Sequence, residues 1–412
     1  MPHIVIATVG THGHVNPALA VAEKLIESGH RVTFCTTGGF RRAVEATGAT
    51  LAVYQSRYGA GGEGLTAMSA RPAFAFGDLL KEAFGVLPQI ERTLRVLQPD
   101  LLFYDRICMA AGWAAQRVGL QRVGLFTSYP QNGAFLIYQR HAEIRDQHPA
   151  PNPATLAVAE QEHRDICEAI EHEYGIKLPA PADMMRRADA LNIALMPRVF
   201  HTAGDTFDER YLFVGPCIGS RREEPTTRAR LRLPRRRLLI TRGSILTDSP
   251  AFYRTCMQAF GNSDWEVFMA IGQLTPRHSL GPVPANFTLA THLPQISLLP
   301  GARAFVGAGG MNSTMEALHF GVPLVVLPDT PEQVVTADRV EQLRLGCTLD
   351  LNTVSAQQLR AGVEAICADA RVLANTRDMQ QAIREAGGAS RAAAALDDLF
   401  ARHYAPPVAR VV

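Results

Sequence analysis

Along the 412 residues, short β-branched and aliphatic runs alternate with stretches of helical period, and the whole alternation occurs twice. Such a rhythm forces parallel pairing, because strands joined through a helix enter a sheet in the same direction. In the first half the runs are His3 to Val9, Arg31 to Thr36, Leu101 to Tyr104 and Arg122 to Phe126. Helical patterns cover about Pro17 to Ser28, Ala73 to Val96, Cys108 to Val118 and Ala154 to Tyr174, with Asn16 placed to cap the first and Pro17 at its first turn. The rhythm breaks at Gly215, Pro216 and Gly219, then restarts with Leu238 to Thr241, Glu266 to Ile271, Phe287 to Ala290, Ala304 to Gly307 and Val322 to Leu327. The expected architecture is α/β, with two doubly wound Rossmann-like domains over residues 1–215 and 237–395 and a linker at 216–236. Residues 396–412 are expected to return toward the first domain. Open α/β sheets bind ligands beyond the carboxyl ends of their strands, so two facing sheets make an interdomain cleft.

Length agrees with two domains, since single cores stop growing at roughly 250 to 300 residues. A net charge of +2 is too small to make nucleic acid or a membrane surface the main partner. The arginines between Arg221 and Arg237 are interleaved with Glu223, Glu224, Pro225 and Pro234 and lack stacking aromatics, which reads as a solvated linker. Seven scattered cysteines form no CxxC pair and read as buried thiols in a reducing compartment. With no basic leader and no apolar run of spanning length, a cytoplasmic location is expected. The sequence is compatible with a homodimer.

Three segments carry chemistry. Gly10-Thr11-His12-Gly13-His14-Val15-Asn16-Pro17 follows the first strand, where an imidazole could deprotonate a hydroxyl, although such a histidine is as readily structural. Asp105 ends Leu101 to Tyr104 in the same sheet and could fix the imidazole's tautomer, or simply close a strand. The third is Phe305-Val306-Gly307-Ala308-Gly309-Gly310-Met311-Asn312-Ser313-Thr314-Met315-Glu316, an apolar strand, a glycine-rich turn and a helix. Glycines admit an anion close to backbone amides, and the helix N-terminus adds positive potential suited to a diphosphate. The GxGxxG spacing of a dinucleotide fingerprint is missing, and Glu316 lies where it could accept ribose hydroxyls. No paired-acid loop requires a metal.

These motifs resemble the family-one glycosyltransferases, specifically the bacterial macrolide-type UDP-glycosyltransferases, over nearly the whole chain. Gly13-His14-Val15-Asn16-Pro17, Tyr104-Asp105, Phe213-Val214-Gly215-Pro216, Pro294-Gln295, Gly309 to Ala317, Gly321 to Val326 and Pro331-Glu332-Gln333 fall in family order. The resemblance implies a GT-B architecture and inverting, metal-independent transfer from a nucleotide diphosphate sugar, a UDP-sugar above all, to a small lipophilic acceptor. It implies His14 as general base and Asp105 as its partner. Gln295 and Glu316 would read base and ribose, with His292 where plant relatives place a tryptophan against uracil. Gly309, Gly310, Asn312 and Ser313 would hold the diphosphate, and Glu332 and Gln333 the sugar hydroxyls.

The chain departs from the pattern twice. Gly307 and Ala308 stand where the family has Thr-His, removing an imidazole donor to the leaving diphosphate. Thr241-Arg242-Gly243-Ser244 replaces Ser-Leu-Gly-Thr, so Arg242 and Ser244 are expected near the donor phosphates, Arg242 taking over the lost contact or pointing to solvent. The alternative function is a glycosyltransferase-like protein that has lost sugar transfer and uses the His14 and Asp105 dyad on a biosynthetic intermediate. On the acceptor side, Phe74, Phe76, Phe84, Phe126, Tyr129, Phe135 and Tyr138 are candidates for the cleft wall or for plain core.

Overall fold

The structure is a computed structural model that describes residues 1–59, 75–144, 152–219, 236–243 and 249–404. In the first half, β1 (His3–Ala7) leads into α1 (His12–Glu27), followed by β2 (Arg31–Thr36) and β3 (Thr50–Val53). Helix α2 (Ala75–Leu97), β4 (Leu101–Asp105), α3 (Met109–Val118) and β5 (Arg122–Phe126) come next. Helices α4 (Ile137–Ile144) and α5 (Pro153–Tyr174) precede β6 (Asn192–Ala194) and β7 (Tyr211–Phe213). All seven strands are parallel, in the order β3-β2-β1-β4-β5-β6-β7.

The second half repeats the plan with β8 (Arg236–Thr241), β9 (Trp265–Ala270), β10 (Phe287–Ala290) and β11 (Ala302–Gly307). Helix α6 (Met311–His319), β12 (Leu324–Val326), α7 (Pro331–Gln342) and β13 (Gly346–Thr348) complete the sheet. Its order, β10-β9-β8-β11-β12-β13, is the doubly wound dinucleotide-type arrangement. Strand order reverses between β1 and β4 in one sheet and between β8 and β11 in the other, and a crevice opens at each reversal. His14 and Asp105 follow β1 and β4; Arg242 and Ala308 follow β8 and β11.

The two sheets share an apolar core. Phe126, Tyr129, Phe200 and Phe207 of the first half pack in one cluster with Met311, Met315, Val335 and Val340 of the second. Helices α4 and α7 meet across this junction, where Arg140 pairs with Asp338 at 2.8 Å and Arg339 donates to the carbonyls of Phe200 at 2.9 Å and Val199 at 2.7 Å. The last helix, α8 (Gly388–Tyr404), lays Ala392, Ala393, Leu396 and Phe400 against α1 and the first sheet, and Asp397 meets His30 at 2.5 Å. No described helix is long and apolar enough to cross a membrane.

One local expectation is overturned. Asn16 does not cap the first helix: α1 begins at His12 behind Thr11, and Pro17 lies inside it. The glycines of the loop mask its helical character in the sequence, and Pro17 is tolerated because only the first-turn carbonyl of Gly13 loses its donor.

Candidate active site

The crevices of the two sheets merge into one cavity of about 1280 Å³ whose walls come from both halves. On one wall, His14 sits half-buried in the first turn of α1, with its Nδ1 2.6 Å from Oδ2 of the buried Asp105 and 3.0 Å from the Thr127 hydroxyl. Asp105 is held in turn by the Ile107 amide on its Oδ1 at 3.1 Å. Burial works against an imidazolium at His14, but the charges of Asp105 and Glu332 outweigh it and hold the pKa above the ordinary value of 6.5. With Nδ1 facing the carboxylate, Nε2 is the nitrogen left for chemistry.

Across the cavity, Gly310 is the N-cap of α6, and Asn312 and Ser313 lie in its first turn, so the helix N-terminus faces the space between the sheets, with the Met311 amide turned to the Glu332 carboxylate. Gly309 adopts φ +85°, and a Cβ there would come within 2.7 Å of Val326, so the turn needs glycine for both reasons. One turn further, Glu316 accepts from Gln295 Nε2 at 2.6 Å, which joins the two expected nucleoside readers into one polar surface. Glu332 and Gln333 open α7. The Gln333 side-chain oxygen accepts from the Asp329 amide at 2.9 Å and the Thr330 amide at 3.2 Å in a capping box, while burial raises the Glu332 carboxyl's pKa against the opposing pull of Ser128, His14 and the Met311 amide.

The comparisons give this geometry a family. Residues 4–122 match the glycosyltransferase family 28 N-terminal domain, and residues 254–390 match the erythromycin biosynthesis protein CIII-like C-terminal domain. The chain is 36% identical to the NDP-glycosyltransferase YjiC of Bacillus subtilis over 405 residues, covering 98% of this chain and 99% of that protein. It belongs to the macrolide-type family-one glycosyltransferases. The oleandomycin glycosyltransferase of Streptomyces antibioticus is 30% identical over 97% of this chain and 92% of its own length. The crystal structure of CalG4, the calicheamicin glycosyltransferase, superposes with a TM-score of 0.77 at 30% identity, covering 98% of this chain and all of that one.

Within this GT-B glycosyltransferase the two departures have distinct surroundings. Ala308 lines the cavity, but Gly307 is hemmed in: a Cβ there would fall 2.5 Å from the buried Phe305 ring. Arg242 has a side chain only 1% exposed, and it donates to the Leu327 carbonyl at 2.8 Å and to Asp329 at 3.1 Å. Ser244 lies outside the described residues, as does Phe74. His292 stacks on His12 of the opposite wall with ring centroids 5.5 Å apart.

Of the aromatic candidates, Phe126 and Tyr129 line the cavity. Phe135 is buried in the shared core, Phe84 packs on Tyr174, Phe76 on His163, and Tyr138 is exposed. Thr127 and Ser128, beside His14 and Glu332, were not among the sequence candidates. Their signal was positional, since they follow β5 next to the strand that ends in Asp105. Among the described residues no group of three His, Cys, Asp or Glu side chains is arranged to hold a metal ion.

Proposed function

We propose that this glycosyltransferase moves a sugar from a nucleotide diphosphate sugar, UDP-sugar foremost, to a hydroxyl of a small, partly apolar natural product, with inversion at the anomeric carbon. The contact between His14 Nδ1 and Asp105 carries the reading, because it orients a basic Nε2 into a cavity whose far wall is a helix N-terminus. The acceptor hydroxyl gives its proton to Nε2, and its oxygen attacks the anomeric carbon. The bond from that carbon to the diphosphate breaks, with the charge left on the departing oxygen. Asp105 stabilises the imidazolium, and the first turn of α6 at Asn312 and Ser313 receives the diphosphate.

In this reading residues 1–215 bind the acceptor and 237–395 the donor, joined by 216–236, while the last segment ties the second half to the first. Gln295, Glu316 and His292 face the nucleoside, Glu332 and Gln333 the sugar, and Gly309 and Gly310 shape the phosphate turn. Seven free thiols suit a reducing, cytoplasmic setting. The relatives' names support a natural-product acceptor, and the apolar Phe126 and Tyr129 in the cavity suit one.

Ala308 favours a second reading, in which the donor side has decayed and the dyad serves other chemistry. Calorimetric titration with UDP and TDP separates the two. Submillimolar binding followed by transfer, with the product's anomeric configuration opposite to the donor's in its NMR coupling, fits the first. No heat at millimolar nucleotide rules it out and leaves the second.

A further inference from the structure

The cavity is electrically divided. Among the described residues its lining carboxylates are Asp105, Glu316 and Glu332, which stand around the reacting centre and the donor wall. A lobe continuous with that centre, between α3 and the segment after α5, is lined by Arg106, Arg117, Arg122, Lys177 and Arg187, and among the described residues no carboxylate lines it. All of it belongs to the first half of the chain, away from the α6 N-terminus where a diphosphate would sit.

Local pairing does not cancel this charge. Arg106 and Arg122 share one buried carboxylate, Asp189, at 3.4 and 2.7 Å. Arg117 shares Glu91 with Arg95, both at 2.6 Å. Lys177 and Arg187 are exposed, and neither forms an ion pair with a described residue; Arg187 reaches only the Gln116 amide, at 3.5 Å. The two are therefore free to meet a ligand, while the paired arginines pin the wall: Arg106 donates to the carbonyls of Met184 and Arg187, and Arg117 to that of Tyr174. Between the cations the lobe is apolar, with Trp113, Ile176, Leu178, Met184 and Met185. A flat apolar body ending in an anion matches this surface, and a neutral polyol does not.

We propose that the natural acceptor is an aromatic or otherwise apolar hydroxyl compound bearing an anionic group such as a carboxylate, which Lys177 and Arg187 hold while the hydroxyl lies at His14. This rests on the sugar-transfer reading for its catalytic test, but binding of the anion does not. The experiment compares 4-hydroxycinnamate with its primary amide, in the wild-type protein and in a Lys177→Gln/Arg187→Gln double variant. Two exposed charge contacts acting together favour the carboxylate up to about tenfold in kcat/KM at low salt, and the ratio falls to about one in the double variant. A wild-type ratio at or below one, or a ratio the double variant leaves unchanged, overturns the proposal. If neither compound accepts sugar, the nucleotide titration above decides the transfer reading, and calorimetry with the same pair decides the charge preference. Tighter carboxylate binding that the double variant abolishes sustains it, whereas equal affinities, or no binding of either, overturn it.

Discussion

Asn312 on α6 donates its side-chain amide to the carbonyl of Gly13 on α1, across the cleft between the two halves. That carbonyl is available because Pro17, four residues on, has no N–H to satisfy it inside the helix. A proline that would weaken an isolated helix thus leaves an acceptor at the position where the second half closes. Pro17→Ala restores a competing helical donor. Its expected effect is a gain in stability of about 1 to 3 kcal/mol, with helix propensity partly offset by the weakened Asn312 contact, together with a several-fold higher donor KM from looser closure. Denaturant unfolding and steady-state kinetics check the two halves of this prediction, and an unchanged KM would refute the role in closure.

Arg242 is a buried cation held by the Leu327 carbonyl and Asp329, directly ahead of the capping box that orients Glu332 and Gln333. If Glu332 and Gln333 handle the donor as proposed, Arg242 acts on it through this turn. Arg242→Leu leaves the Leu327 carbonyl without that donor, and donor KM should rise several-fold while kcat falls less; Arg242→Lys should recover part of the loss. Donor titration of the two variants is the measurement, and equal donor affinity in Arg242→Leu and wild type would remove Arg242 from donor handling.

Sequence and structure agree where a periodic pattern controls the outcome. Arg31–Thr36, Arg122–Phe126 and Phe287–Ala290 are strands at the expected bounds, because each is a short β-branched or apolar run closed by turn residues. The start of α1 was not legible, since Gly10, Gly13 and Pro17 suggest a loop and only tertiary contact with β1 and α8 makes a helix of it. The dyad was legible as two strand ends in one sheet, and the order β1-β4 puts them side by side. Arg242's attachment to Leu327, 85 residues away, had no local signal. The same holds for the basic lobe, whose five cations come from four separate segments.

The raised pKa of His14 sets a pH dependence. A general base must be neutral, so activity is present above the folded pKa and is lost as pH falls through it. The acid limb of kcat/KM should therefore lie above pH 6.5. Asp105→Asn removes the largest raising influence and leaves burial to dominate, so the limb should move to lower pH while kcat drops roughly 10² to 10⁴-fold. For stability the sign is opposite: protonated His14 contributes below pH 6.5, and the contribution is lost as pH rises through the folded pKa. A pH–rate profile whose acid limb is the same in both proteins would exclude His14 as the titrating base.

Ala308 lines the cavity at the turn before Asn312, just past the end of β11, at the position where the family pattern set out above has a histidine. An imidazole at 308 would reach the leaving diphosphate, and a single donor to developing charge contributes on the order of 10 to 10³ in rate. Ala308→His should therefore raise kcat for transfer at least tenfold, measured by product formation with a UDP-sugar and a phenolic acceptor. The neighbouring substitution cannot be made so simply. Gly307→Thr drives a Cβ into the Phe305 ring, which is buried under the second sheet, and should cost about 1 to 3 kcal/mol in stability. The glycine and the missing imidazole are therefore separable, and the double variant should gain no more rate than Ala308→His while melting lower. Should Ala308→His bind nucleotide like wild type yet show no rise in transfer, departure of the diphosphate is not what limits this enzyme, and the amides of α6 already meet its demand.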